Sequence, residues 1–309
     1  MVARKDSDPI AHHSFNYYDA TRAKEQNIVA AFYQRQFQDE QVERVRQYKE
    51  HGIFLINDID DMLWQIPPTN PFVKVITGNV RSNLRHGAKL ADLNVVSTEP
   101  LKEELKRFCG VDSVVIPNFV PSEYFVHHPR PRIGDRFRVL WAGSRTHDGD
   151  LQPMIDVMKA LPGVDFYIFG YRPDNFPTLP NVEFIPGTDF QYYHNRLREV
   201  CQGVDMAIAP LDPCRFNECK SNLKLLEYGM NGLPILTTDI YPYKDNLPTS
   251  KIAWNKKQWK RWVEMIEFWS KDEGARFTAA AASLDYAKSF ADSDPRNVKY
   301  VSELFSRFV

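Results

Sequence analysis

Two lysines and a glutamate near residue 220 form the pattern in this sequence that most directly suggests chemistry. Lys220, Lys224 and Glu227 are spaced so that a helix beginning at about Lys220 would place all three on one face. Ammonium groups beside a helix N-terminus attract anions, because free backbone N–H groups and the helix dipole also point there. A carboxylate one turn deeper can accept hydrogen bonds from a vicinal diol, so the group suits a diphosphate joined to a ribose. The alternative is a solvated helix face whose charges contact only water.

A cluster of aspartates follows the predicted strand 52–56. Asp58, Asp60 and Asp61 therefore stand at the carboxyl end of a strand, where α/β proteins place their ligands. Three interpretations remain open. Asp58 and Asp60 could hold a divalent metal ion as a D-x-D pair, or Asp60 or Asp61 could serve as a general base or bind a sugar hydroxyl. The third is a polar loop whose aspartates cap a helix beginning near residue 62.

A further cationic group follows the predicted strand 137–143. Gly143 permits a close turn there, and Arg145 can bind a phosphate through two parallel hydrogen bonds. Asp148 or Asp150 can cap the helix that comes next.

Basic residues recur every four positions in another predicted helix, at Arg81, Arg85 and Lys89. Such a stripe usually faces solvent, but just beyond the aspartates it could hold a phosphate of a second substrate. His12 and His13 invite a metal-site interpretation. We expect them instead to be loop residues or part of a wall that faces the second substrate.

Composition and charge narrow the functional classes. The chain has 309 residues, which is enough for two domains, and its 43% hydrophobic and 26% charged content is ordinary for a soluble protein. The formal net charge is -1, so no global field recruits nucleic acid or an anionic membrane, although a local basic stripe would suffice.

Cysteine usage and hydropathy indicate an intracellular setting. Cys109, Cys201, Cys214 and Cys219 match no zinc spacing and, without a C-x-x-C pair or a secretory signal, are expected to be reduced thiols. No apolar run approaches the length that spans a membrane. We therefore expect a cytoplasmic protein with no membrane span.

Strands and helices alternate in two runs on either side of the proline-rich segment 121–135, which is typical of a domain linker. The predicted strands cover 28–32, 52–56, 93–98 and 114–118 before that segment, and 137–143, 165–170, 181–185, 204–211 and 235–238 after it. The alternation predicts an α/β protein of two Rossmann-like domains. We assign residues 1–130 to a shortened N-terminal domain on the acceptor side, 131–290 to the C-terminal domain, and 291–309 to a helix that packs back on the N-terminal domain.

Five segments, taken together and in order, resemble the GT-B glycosyltransferases, and among these the retaining family-4 type. The segments are 58–64, 97–101, 116–118, 143–148 and 216–234. The resemblance implies two Rossmann-like domains with a cleft between them and a nucleotide-sugar held by the C-terminal domain. It also implies that no divalent metal or other cofactor is needed.

The same resemblance assigns roles to the donor-side residues. Glu227 matches the second Glu of the family's E-x7-E motif, which binds the ribose. Lys220 or Lys224 would hold the diphosphate with Arg145 and Ser144.

Two departures from the family pattern affect the other substrate contacts. The first Glu of the motif should be residue 219, which is Cys219, so Glu218 and Asn217 are the candidates for contacting the donor sugar. The family's first strand and its Gly-rich loop are not recognisable before Ile28, so acceptor contacts do not carry over.

We therefore expect transfer of a sugar, with retention, from a nucleoside-diphosphate sugar, preferably a UDP-sugar, to a hydroxyl acceptor. Asp60 or Asp61 would orient or deprotonate that hydroxyl. A saccharide is the expected acceptor. The alternative acceptor is a hydroxymethylated pyrimidine in DNA, whose backbone and flipped base would be contacted by the stripe Arg81, Arg85 and Lys89 together with His12, His13 and Tyr17. Other hypotheses are a sugar-nucleotide epimerase, a non-catalytic sugar-nucleotide binder and a metal-dependent GT-A transferase.

Overall fold

Two sheets, one in each half of the chain, organise the computed structural model of the protein. It describes residues 2–4, 20–129, 134–244, 251–252 and 258–306. The N-terminal sheet has the strand order β1-β2-β3-β4-β5, and all its pairings are parallel except that of β1 with β2. The C-terminal sheet has the order β11-β10-β9-β6-β7-β8 and is parallel throughout the described residues. The predicted α/β class is confirmed.

The elements of the N-terminal half are β1 (Val2–Arg4), α1 (Ala20–Glu25), β2 (Ile28–Gln34), α2 (Asp39–Glu50), β3 (Phe54–Ile59), α3 (Gly78–Leu90), β4 (Leu93–Val96), α4 (Glu99–Cys109) and β5 (Val114–Val115). Short 3-10 helices cover Pro71–Lys74 and Ser122–Tyr124.

The elements of the C-terminal half are β6 (Phe137–Ala142), α5 (Asp148–Leu151), α6 (Met154–Ala160), β7 (Val164–Gly170), β8 (Val182–Pro186), α7 (Tyr193–Cys201), β9 (Met206–Ala209), α8 (Arg215–Glu218), α9 (Leu223–Met230), β10 (Ile235–Thr238), β11 (Lys251–Ile252), α10 (Trp259–Lys271), α11 (Glu273–Lys288) and α12 (Pro295–Phe305). Two further 3-10 helices cover Arg145–His147 and Phe190–Tyr192.

Buried apolar strands explain why the sheets form where the sequence predicted them. All four residues of β9 and all four of β10 are buried, as expected for strands of a parallel sheet covered on both faces. Helix α10 covers one face of this sheet, with Trp262 and Ile266 fully buried in the core. Burying a side chain of this size contributes about 1.5–3 kcal/mol.

The predicted helix from Lys220 is wrong in its start. The structure instead has the short helix α8, a break, and then α9 from Leu223, so Lys220 precedes the helix. The break occurs because Phe216 and Cys219 turn away from their own domain. Their side chains are buried against Met62 and Trp64 in the core of the N-terminal half.

Polar contacts fasten this segment across the domain boundary. The Thr98 hydroxyl donates to the Cys219 carbonyl at 2.8 Å, and Arg215 Nε lies 2.7 Å from Glu104 Oε1. Burial raises the pKa of Cys219 to about 12, so this thiol is protonated at neutral pH. All four cysteines are free.

Helix α12 also crosses back to the N-terminal half. The Phe305 ring lies 5.8 Å from the ring of Phe32, measured between centroids, and packs on the buried face of the sheet. The Tyr300 hydroxyl donates to the carbonyl of Val115 at 2.5 Å. The two halves are therefore joined by α8 and α12 as well as by the linker.

Candidate functional site

An open cleft of about 640 Å³ lies between the carboxyl ends of the two sheets. Asp60 and Asp61 line it from the N-terminal half, and Ser144, Lys220, Lys224 and Glu227 line it from the C-terminal half. Six of the residues singled out in the sequence thus lie along one cleft. Among the described residues, the candidates Arg81, Arg85, Arg145, Asn217 and Glu218 do not line it.

Lys224 and Glu227 project from α9 and belong to the wall of the cleft that the C-terminal half forms. Glu227 is only 5% exposed, and its Oε2 accepts a hydrogen bond from the Tyr193 hydroxyl at 3.2 Å. The Lys224 ammonium donates to the carbonyl oxygen of Ala142 at the end of β6. Burial raises the pKa of Glu227 and lowers that of Lys224, and each group's charge partly offsets the shift of the other. The solvated-face alternative is therefore wrong for these two residues.

Lys220 reaches the same cleft from the segment between α8 and α9. Its side chain is 14% exposed, and its Nζ lies 3.6 Å from Asp61 Oδ1 across the cleft. The ammonium also lies 4.8 Å from the centroid of the Phe216 ring, within the range of a cation–π contact. Since Phe216 is buried in the N-terminal half, the docking of α8 sets where Lys220 stands.

The three aspartates after β3 have different surroundings. Asp60 Oδ2 accepts from Arg35 Nη2 at 2.5 Å, while its Oδ1 is buried without a hydrogen-bond partner. Asp58 accepts from Gln34 Nε2 at 2.9 Å, and burial together with the charge of Asp60 raises its pKa to about 6. Asp61 faces Lys220. Each carboxylate thus has a cationic or amide partner in the protein.

The structure tests one of the three interpretations of this cluster directly. No α-helix begins at residue 62, where the chain forms turns instead, so the capping interpretation is wrong. Among the described residues, no group of three or more His, Cys, Asp or Glu side chains is arranged to hold a metal ion.

Ser144 and Arg145 follow β6, but only Ser144 lines the cleft. The Arg145 side chain is 63% exposed, and its Nη2 lies 3.9 Å from Asp174 Oδ2. The residue between β6 and Ser144 must be a glycine, because a Cβ on Gly143 would lie 2.5 Å from the Trp141 ring. The end of β7 also lies close to this turn, since a Cβ on Gly170 would lie 2.6 Å from the Gly143 carbonyl oxygen.

Asn217 and Glu218 do not line the cleft. The Asn217 amide donates to Asp150 Oδ1 at 3.0 Å and to the Asp212 carbonyl at 2.9 Å. Glu218 Oε2 accepts from Arg215 Nη1 at 3.2 Å. Both side chains hold α8 and the loop before it, because α8 is directed into the N-terminal half rather than toward the cleft.

The basic stripe lies on the outside of α3. Arg81 and Arg85 are exposed, and the Arg85 guanidinium stacks 4.8 Å from the centroid of the Phe108 ring. Neither lines the cleft between the sheets. His12 and His13 fall outside the described residues, so their predicted roles stay predictions.

Sequence reasoning missed two hydrogen-bonded pairs at the cleft. Asn118 Nδ2 donates to Ser221 Oγ at 2.7 Å, which joins the end of the N-terminal half to the segment beside Lys220. His147 Nδ1 lies 2.9 Å from Asp150 Oδ2. The second pair has a signal in the sequence, a His and an Asp three residues apart at the start of a helix. There, Asp150 was interpreted only as a helix cap.

The described residues also contain no helix that is long and apolar enough to cross a membrane.

No family model matches the sequence, and no curated protein matches it significantly. Solved structures do resemble it. HepE from Anabaena in complex with UDP and glucose superposes with a TM-score of 0.68 at 13% identity, over 93% of this chain and 79% of that one. Sucrose-phosphate synthase from Thermosynechococcus elongatus gives 0.71 at 10% identity, over 93% and 75%. A glycosyltransferase from Rickettsia africae gives 0.64 at 14% identity, over 93% and 79%. The chain therefore has the GT-B fold, with two Rossmann-like halves and a cleft between them.

Proposed function

We propose that the protein is a glycosyltransferase that moves a sugar from a nucleoside-diphosphate sugar to a hydroxyl acceptor. One observation carries the proposal: two lysines and a buried glutamate on one wall of the cleft face two aspartates on the other. Solved structures of the same fold bind UDP, as in the complexes of HepE, which favours a UDP-sugar as the donor.

The diphosphate would bind between Lys220, Lys224 and Ser144. An ammonium that burial holds in place needs little reorganisation when negative charge develops on the leaving group. Burial lowers the pKa of Lys224, and the negative charge of a diphosphate beside it would favour its charged form. Two lysines in this position supply the positive charge that a metal ion supplies elsewhere, so we propose metal-independent transfer.

The ribose would bind at Glu227. Its Oε2 is engaged by Tyr193, so Oε1 is the atom that would accept from a ribose hydroxyl. Because the carboxylate is buried, a hydrogen bond to it is stronger than one at the surface. Arg145 and the donor-sugar candidates Asn217 and Glu218 lie outside the cleft lining, and we give them no role in this proposal.

The acceptor would enter from the side of Asp60 and Asp61. We propose that these carboxylates orient the acceptor hydroxyl, and that an oxygen of the departing diphosphate takes its proton in a retaining, same-face reaction. A saccharide, with several hydroxyls to bind these carboxylates, is the acceptor class we favour. Arg81 and Arg85 do not line the cleft, so they add no support for a DNA acceptor bound there.

Calorimetric titration with UDP and with uridine tests the donor half of the proposal. We expect UDP to bind much more tightly than uridine. We also expect the affinity for UDP to be the same with and without a chelator. The same comparison is made for GDP with guanosine and for ADP with adenosine. If each nucleoside diphosphate binds no more tightly than its own free nucleoside, the donor half of the proposal is contradicted. Mass spectrometry of candidate saccharides, incubated with the donor whose nucleotide binds best, then tests the transfer itself.

A further inference from the structure

His147 and Asp150 form a hydrogen-bonded pair at the edge of the proposed diphosphate site. His147 lines the cleft from the 3-10 helix after β6, and its Nδ1 lies 2.9 Å from Asp150 Oδ2. With Nδ1 engaged by a carboxylate, Nε2 is the nitrogen that remains for a ligand in the cleft.

Asp150 is itself held in place. It is 5% exposed, and its Oδ1 accepts from the Asp212 backbone N–H at 2.8 Å and from Asn217 Nδ2 at 3.0 Å. Both oxygens of this buried carboxylate are therefore used. The fixed Asp150 carboxylate therefore orients the His147 imidazole through Nδ1, as a carboxylate does for a histidine that must hold or transfer a proton.

Burial and the two lysines of the cleft oppose protonation of the His147 ring. Burial, and next the ammonium of Lys220, lowers the pKa of His147 to about 4, with Lys224 acting in the same direction and Asp150 in the opposite one. A diphosphate between the two lysines would reverse this balance, because an anion near the ring favours the imidazolium form.

We propose that His147 is a proton-coupled ligand of the diphosphate: it takes one proton from solvent as the nucleotide binds, and its Nε2–H then donates to a diphosphate oxygen while Asp150 holds Nδ1–H. This inference rests on the proposed function and deepens it. The imidazolium places a third cationic donor beside the oxygen on which charge grows as the bond to the sugar breaks. No bond to His147 forms or breaks apart from the transfer of that proton.

The pH dependence of binding follows with a definite sign. A group whose pKa rises on binding adds to affinity below its pKa in the complex, and the gain is lost as pH rises through that value. The affinity of the native protein for UDP should therefore fall with rising pH, by up to about tenfold per unit. His147→Gln keeps a side-chain N–H donor but cannot titrate, so its affinity should depend less on pH.

Proton uptake can be measured directly by titrating the intact protein with UDP in buffers of different ionisation enthalpy at pH 6. We expect the native protein to take up about half a proton or more per UDP beyond the His147→Gln variant. UDP should also bind the variant about tenfold more weakly, as expected for loss of a charged hydrogen bond. His127→Gln, which changes an exposed histidine of the linker region, serves as the matched control and should keep the native proton count.

A second variant guards against misfolding of the first. Asp150→Asn leaves His147 present but removes the carboxylate that stabilises its imidazolium, so proton uptake should also fall while thermal unfolding shows that the variant is folded. Equal proton uptake in native, His147→Gln and Asp150→Asn proteins would overturn this inference but leave the proposed function standing. Failure of the native protein to bind UDP, GDP or ADP would overturn both.

Discussion

The two walls of the cleft are built differently. On the C-terminal wall, Lys224 and Glu227 project from a helix and are buried, with Ala142 and Tyr193 holding them. On the N-terminal wall, the side chains of Asp60 and Asp61 are 34% and 28% exposed and belong to the loop after β3. The C-terminal wall is therefore shaped before any ligand arrives. The N-terminal wall is held by ion pairs that a ligand can replace.

The two substrates would accordingly be recognised in different ways. A preformed wall selects its ligand through fixed geometry, so the donor site should tolerate little change. Ion pairs at partly exposed positions contribute about 0–1 kcal/mol each, so the acceptor wall can rearrange at low cost. Substitutions on the two walls should accordingly differ in size and in kind.

The largest effect should follow from Lys224→Ala. Removing a buried cationic donor from the diphosphate should lower kcat by about 10²–10³-fold. UDP binding should weaken much more than uridine binding, measured by calorimetry. Lys159→Ala, which removes an exposed lysine of α6, is the matched control and should leave both unchanged. Equal losses for UDP and uridine would show that Lys224 supports the domain rather than the diphosphate.

Asp60→Asn should have the next largest effect and should separate the two walls. It removes the acceptor-orienting charge while leaving Lys220, Lys224 and Glu227 in place. We expect transfer to fall about 10- to 100-fold, since misplacing a reacting group costs this much, with the dissociation constant of UDP unchanged. A loss of UDP affinity instead would move Asp60 to the donor side.

Glu227→Gln should weaken UDP binding by about tenfold, the loss expected for one hydrogen bond to a charged group. The more specific readout is the ratio of affinities for UDP and 2′-deoxy-UDP, which should approach one in the variant. Glu199→Gln on α7 changes an exposed glutamate and should keep the native ratio. An unchanged ratio in Glu227→Gln would exclude a ribose contact.

The smallest effect, and the one of opposite sign, should come from Asp61→Asn. Its carboxylate lies 3.6 Å from the Lys220 ammonium and would compete with a diphosphate for it. Removing that charge should raise UDP affinity, by up to about fivefold, while transfer slows. Weaker UDP binding in this variant would mean that Asp61 helps to hold Lys220 in position for the donor.

Local patterns predicted most of the fold, because a buried strand or an amphipathic helix is specified by its own residues. Strands β2, β6 and β10, for example, lie at the apolar runs from which they were predicted. The pairing of two lysines with Glu227 was also predicted. The start of α9 was not, because helix propensity near Lys220 is overridden by the burial of Phe216 in the other half of the chain.

Three donor-side candidates lie away from the cleft, and two of them, Asn217 and Glu218, share that cause. Asn217 and Glu218 follow from a linear motif, but the direction of α8 is set by packing against residues more than 100 positions earlier, such as Glu104. Arg145 was assigned by its place after β6, and nothing local fixes the direction of a long exposed side chain. The sequence shows that His147 and Asp150 are three positions apart, but not that they are hydrogen-bonded. Only the fold shows that they form a pair directed at the cleft.

The claim that the lysines of the C-terminal wall hold the diphosphate can be tested in crystals of the protein soaked with UDP in the presence and in the absence of Mg²⁺. We expect the diphosphate within hydrogen-bond distance of the Lys220 and Lys224 ammonium groups, with the ribose on Glu227, in both crystals. A nucleotide bound beside Asp58 and Asp60 through a metal ion, and absent when the metal is withheld, would contradict the claim.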